Sequence, residues 1–194
     1  MRALLLASGS PRRKELLELA GIPFTAVPSS APEISGDTLS PEETALENAF
    51  RKASSVSETH PGAVVLGADT LVWCDGHALG KPADREDARR MLKMLSGRTH
   101  RVLTGVYVTD GTNESRAVVS TDVTFFDLSP DLIERYLDTG EYKDKAGAYG
   151  IQGKGCILAE RLNGDYFNIV GLPIGTVYRM LEPFLKEDFH DGNE

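Results

Sequence analysis

The chain has 194 residues, 41% of them hydrophobic and 26% charged, and its 19 glycines and 10 prolines fall well short of a low-complexity or collagen-like composition. Twenty-one Lys and Arg against 29 Asp and Glu leave a net charge of −8, which argues against nonspecific binding to nucleic acid or an anionic membrane as the main role. A small anionic ligand stays open, because a local basic cluster or a divalent metal can invert the field at one site.

Met1 to Ala7 holds an apolar run too short for a signal peptide, and Arg12, Arg13 and Lys14 follow at once. No other stretch approaches the length of a membrane span. Cys74 and Cys156 form no CxxC pattern, so neither a disulfide framework nor a zinc site is expected, and a reducing compartment is the natural reading. The cytoplasm is the expected location.

Ala3 to Ala7 reads as a buried strand that feeds the turn Ser8-Gly9-Ser10-Pro11. Ser10 suits an N-cap and Pro11 the first helical position, with Leu16, Leu17 and Ala20 as the apolar stripe and Gly21 as the stop. Phe24 to Val27 reads as a short strand. Ser40 and Glu43 have capping-box spacing ahead of a helix carrying Ala45, Ala49, Phe50 and Ala53 toward Val56. Ala63 to Cys74 is aliphatic, interrupted by Gly67 and Asp69, and Asp75-Gly76 is a hairpin turn.

Asp84 caps a helix bearing Ala88, Met91, Leu92 and Leu95, which Gly97 ends. Arg101 to Val108 and Ala117 to Phe126 read as two long strands joined by Asp110-Gly111-Thr112-Asn113. Ser129-Pro130 opens a helix that Gly140 stops. A glycine-rich passage from Gly147 to Gly155 precedes a strand near Ile157 to Ala159, and a last helix begins at Pro173, with Pro183 bending or ending it. Interleaved strands and helices with one antiparallel hairpin predict an α/β fold built on a mixed sheet with flanking helices.

Two segments carry candidate chemistry. Ser8-Gly9-Ser10-Pro11-Arg12-Arg13 is a strand-to-helix turn that exposes backbone N–H groups at the positive end of a helix, and two guanidinium groups follow. It reads either as an anion site or as an ordinary turn with solvated arginines. It is not a Walker loop, and the later Gly150, Gly153, Gly155 spacing is not a dinucleotide fingerprint. In Gly67-Ala68-Asp69-Thr70 an aspartate breaks an apolar run. Asp69 reads either as a metal ligand or general base at a cleft, or as a strand-end cap facing solvent. Without an aspartate two positions earlier, a haloacid-dehalogenase phosphatase is disfavoured. Glu33, Lys52 and Lys81 are individually weak signals, the four histidines lack metal-ligand spacing, and the thiols are read as inert.

Taken together these pieces resemble one family. In order they are Ser8-x-Ser10-Pro11-Arg12-Arg13-x-Glu15-Leu16-Leu17, Glu33, Lys52, Gly67-Ala68-Asp69-Thr70, Gly80-Lys81-Pro82, Leu95-Ser96-Gly97-x-x-His100-x-Val102-x-Thr104 and Asp144-Lys145-Ala146-Gly147-Ala148-Tyr149-Gly150-Ile151-Gln152-Gly153. The set is similar to the Maf family of nucleoside triphosphate pyrophosphatases, in the form of the branch acting on dTTP and UTP. The resemblance implies two lobes around a cleft, similar to the inosine triphosphate pyrophosphatases, with residues 1–187 as one domain and residues 188–194 as a polar tail.

The implied reaction is metal-dependent hydrolysis of the triphosphate to the monophosphate and pyrophosphate by water attack at the α-phosphorus. By resemblance the proton acceptor falls on Asp69, and Arg12, Thr70 and Gln152 bear on substrate choice. Ser8 joins them in binding substrate, Arg12, Arg13, Lys52 and Lys81 supply cations, and Glu33 and Asp69 hold Mg²⁺ or Mn²⁺. Partners are expected to be the nucleotide and a second copy in a homodimer, with no nucleic acid and no membrane. Two alternatives stay open: a nucleotide-binding regulator of septum formation with little turnover, and the same chemistry on a modified or purine nucleotide.

Overall fold

A computed structural model describes residues 2–34 and 39–185; the expected tail, residues 188–194, lies outside the described residues. The elements in chain order are β1 (Leu4–Leu6), α1 (Pro11–Leu19), β2 (Thr25–Ala26), α2 (Pro41–Ser57), β3 (Val64–Cys74), β4 (His77–Leu79), α3 (Arg85–Leu95), β5 (Thr99–Thr109), β6 (Glu114–Phe125), α4 (Pro130–Asp138), β7 (Ala159–Asn163), α5 (Tyr166–Val170) and α6 (Ile174–Leu185). They form the expected mixed α/β architecture. The sheet runs β2-β1-β3-β5-β6-β7, with β4 paired to β3. β1 is parallel to both β2 and β3, and every other pairing is antiparallel.

Local chemistry sets most boundaries. Ser40 and Glu43 close a complete capping box on α2, and Asp84 and Ser129 cap α3 and α4 through their side chains. Helix α1 ends in a Schellman motif: Gly21 takes a φ of +67°, and the Ile22 N–H reaches back to the Leu17 carbonyl. Asp75 and Gly76, with φ of 49° and 82°, make the tight β3–β4 turn.

The structure departs from the sequence expectations in specific places. Ala20 is exposed, and the buried face of α1 is completed instead by Arg13. β3 runs uninterrupted through Gly67 and Asp69, because β5 pairs with it from Val65 to Trp73. Ile157 belongs to a 3₁₀ turn, and the strand after it starts at Ala159. Tyr166–Val170 is a short helix that no apolar periodicity announced. Pro183 does not end α6 before Leu185.

Two features of β3 place the cleft. Beyond Leu66 its free edge loses β1, and β4 does not take that edge up until Val72. The stretch between therefore has a ladder partner on the β5 side only. α1, α5 and α6 cover the Leu66–Ala68 region of one sheet face, while α3 and α4 cover the Val72–Cys74 region. The gap between these two apolar clusters is the opening between the lobes.

On the opposite face α2 lies unusually close to the sheet. A methyl at Gly67 would stand 2.3 Å from the Ala49 carbonyl oxygen, and one at Gly105 would stand 2.3 Å from the Ala45 carbonyl. Glycine is needed at both positions for this approach.

Candidate active site

The stretch of β3 with one open edge forms the floor of a cleft of about 790 Å³. Adjacent strand residues point to opposite faces, so Asp69 and Thr70 serve two different clusters.

Asp69 faces α2, directly across the ladder from Gly105. Because α2 sits so close here, the Lys52 ammonium reaches Asp69 Oδ1 at 2.6 Å and Asn48 Nδ2 donates to Asp69 Oδ2 at 3.0 Å. Asn48 and Lys52 are one helical turn apart and share a face. The Lys52 ammonium also lies 2.7 Å from Glu33 Oε1. Burial raises the Glu33 carboxyl, yet the hydrogen bond from Lys52 and the charges of Lys52, Lys81 and Arg13 outweigh it, so its affinity for a proton falls below the usual value. Asn48 ties the Glu33 loop in place by accepting the Ile34 N–H at 2.8 Å.

Thr70 faces the other way. Its hydroxyl meets Thr104 Oγ1 at 2.9 Å and Arg13 Nη2 at 3.1 Å. Arg13 is only 8% exposed, and it also donates to the Gly171 carbonyl at 2.8 Å and to Ser8 Oγ at 3.1 Å. All three direct partners are neutral. Burial lowers the guanidinium's hold on its proton, while the charge of Asp69 works against that loss. Burying a cation without a contacting carboxylate is costly, and the position makes sense as a receptor for an anion. Of the two arginines in the first candidate segment, Arg13 is thus buried rather than solvated, and Arg12 is half-buried. Ser8 also accepts the Ser10 N–H at 3.2 Å, so it organises the turn itself.

Arg12, Lys81 and Gln152 line the same cleft. Gln152 is exposed, and among the described residues its side-chain amide has no hydrogen-bond partner. The amide is therefore available to a ligand and does not serve the loop's own backbone. The loop around it is held from behind: the Tyr136 hydroxyl accepts the Gly150 N–H at 3.2 Å, and Tyr149 bonds the buried His100 Nε2 at 2.8 Å. Gly80 joins the two walls, its carbonyl accepting the Gly147 N–H.

All nine residues singled out from the sequence line this one cleft: Ser8, Arg12, Arg13, Glu33, Lys52, Asp69, Thr70, Lys81 and Gln152. Asn48 was missed. Its signal was a polar residue on the stripe of Ala45, Ala49 and Ala53, one turn before Lys52.

A divalent cation fits the carboxylates. Glu33 and Asp69 already converge on one cationic atom, the Lys52 ammonium, and two hard oxygen donors suit Mg²⁺ or Mn²⁺ when phosphate oxygens and water complete the shell. Among the described residues no three His, Cys, Asp or Glu side chains gather as a metal cage, and no helix is long and apolar enough to cross a membrane.

Comparison with known proteins agrees with the geometry. The family model for Maf-like proteins matches residues 3–184. A Bacillus pumilus protein named dTTP/UTP pyrophosphatase is 49% identical over 184 residues, covering 95% of this chain and 97% of its own. A protein of the same name from Bacillus cytotoxicus is 48% identical, covering 95% and 96%. Another, from Symbiobacterium thermophilum, is 50% identical over 192 residues, covering 99% of each chain.

Proposed function

This chain belongs to the Maf family, and on that premise we propose that it hydrolyses dTTP and UTP to the nucleoside monophosphate and pyrophosphate, residues 1–187 acting as one unit in the cytoplasm. The observation that carries the reading is the cluster on either side of β3: the Glu33–Lys52–Asp69 bridge on one face and the buried Arg13, with neutral partners only, on the other.

Each residue has a defined task. The triphosphate lies along the cleft with its phosphate oxygens on Arg13, the Ser8 turn, Lys52 and Lys81. Asp69 orients a water toward the α-phosphorus and accepts its proton. A new oxygen–phosphorus bond forms as the bond from the α-phosphorus to the bridging oxygen breaks, and pyrophosphate leaves with that electron pair. Lys52 moves its charge between the carboxylates and the phosphates, so the cluster never holds two bare anions against a third. Glu33 and Asp69 are the residues that would hold Mg²⁺ or Mn²⁺, and the bound ion supplies charge neutralisation on the phosphate oxygens. Most of the acceleration comes from positioning and charge.

Thymine and uracil share an edge with an N3–H donor between two carbonyl acceptors. The amide of Gln152 has one donor and one acceptor group to offer that edge. Cytosine reverses that edge, with an N4 amino donor in place of O4 and an N3 acceptor in place of N3–H, so an amide held in one orientation matches thymine and uracil and not cytosine. In Gln152→Ala the preference for dTTP over CTP falls about 10-fold, the weight of one well-placed hydrogen bond. Its turnover on dTTP falls less. Steady-state kinetics on both nucleotides checks this, and an equal loss on both would make Gln152 structural.

The reaction itself is tested by pyrophosphate release from a panel of nucleoside triphosphates with Mg²⁺, with Mn²⁺ and with a chelator. Release that is fastest with dTTP and UTP and stops with the chelator is expected. Tight triphosphate binding without release would instead favour a regulator.

A further inference from the structure

Glu141 lies outside the cleft, in the turn after α4, yet it holds the segment that carries Gln152. Its carboxylate accepts the Lys154 N–H at 2.9 Å from Oε2 and 3.2 Å from Oε1. The carboxylate is pressed against the backbone there. A methyl at Gly153, which has a φ of +64°, would stand 2.9 Å from Oε2 and 3.0 Å from Oε1. Glycine at 153 therefore does two things: it supplies the left-handed turn immediately after Gln152, and it leaves room for the Glu141 carboxylate.

The same residue acts on the near side of the loop. Its backbone carbonyl accepts from the Lys145 ammonium, and the Lys145 stem lies across Gly150, where a methyl would meet Lys145 Cε at 2.7 Å. Glu141 is itself anchored, its N–H donating to Thr139 Oγ1 at 3.1 Å. The end of α4 thus grips the loop on both sides of Gln152, through Tyr136 at Gly150 and through Glu141 at Lys154. Between these two points Gln152 has no side-chain bond of its own to any described residue. The place from which its side chain extends is set by the grip.

We infer that Glu141 is a positioning residue for base recognition: its carboxylate, by holding the Lys154 N–H, fixes the direction of the Gln152 amide and so the preference for the thymine and uracil edge. The inference rests on the reading that Gln152 contacts the base.

The test compares Glu141→Ala, Glu141→Gln and Gln152→Ala by kinetics on dTTP and CTP and by hydrogen exchange at the Lys154 amide. In Glu141→Ala exchange at Lys154 speeds up by at least about 10-fold as its acceptor is lost. The preference for dTTP over CTP falls by about 10-fold, more through KM than through kcat. Glu141→Gln keeps an acceptor oxygen and restores both readouts to within about twofold. Gly153→Ala gives the same loss of preference by pushing the carboxylate away. Unchanged preference in Glu141→Ala, with Gln152→Ala impaired, would overturn the positioning role and leave the base contact standing. Unchanged preference in both would remove the base contact, and the role of Glu141 with it.

Discussion

Asp69→Asn lowers pyrophosphate release from dTTP by about 10²–10⁴-fold, the range for losing a positioned general base, while the protein remains folded. Asparagine matches aspartate in shape and can still accept the Asn48 N–H, so the packing of α2 on β3 is kept. What is lost is the proton acceptor and one of the two anions that share Lys52. Lys52 then rests on Glu33 alone. Initial rates read against a melting curve decide the matter: a folded Asp69→Asn protein with near-normal turnover would take Asp69 out of the chemistry.

Gly105→Ala damages both stability and activity. The added methyl would stand 2.3 Å from the Ala45 carbonyl carbon and oxygen. These are backbone atoms, so no change of rotamer relieves the clash, and α2 must lift. Overpacking of this kind costs about 3 kcal/mol, which lowers the melting temperature by about 6–12 °C for a chain of this size. Because Asn48 and Lys52 ride on α2 and Asp69 is the ladder partner of Gly105, the lift also pulls the cluster apart. A displacement of about 1 Å can reduce turnover as much as 10²-fold. Gly175→Ala is the control, since its nearest neighbour is the Arg179 guanidinium at 3.6 Å, and it keeps full activity. Calorimetry and kinetics on the two variants would reject the argument if they behaved alike.

How far the sequence could be read depended on whether each signal was local. Ser40 with Glu43, Asp84 and Ser129 mark helix starts because a cap needs only the next three residues. Ser8, Arg12 and Arg13 stood out because they sit at a strand-to-helix turn and Asp69 because it breaks an apolar run, whereas Glu33, Lys52 and Lys81 were individually weak and were gathered only by the family resemblance. Arg13 could not be distinguished from Arg12 in sequence, since its burial depends on Gly171, 158 positions away. The passage of β3 through Asp69 was hidden for a related reason: β5 holds the strand straight, and that pairing is non-local.

Tyr166–Val170 is five apolar-rich residues that suit a strand as well as a helix, and only Asp165, accepting the Phe167 and Asn168 N–H groups, marks the choice. The roles of Gly67 and Gly105 could not be read at all, because nothing in either segment says that a helix will lie on it.

Among the described residues no strand lies beside the edge of β3 between Leu66 and Val72, and such an edge is ordinarily an invitation to a foreign strand. Nothing extended can dock there without burying the charges of Asp69, Lys52 and Arg13. The cluster therefore guards the fold against edge-to-edge association at this edge.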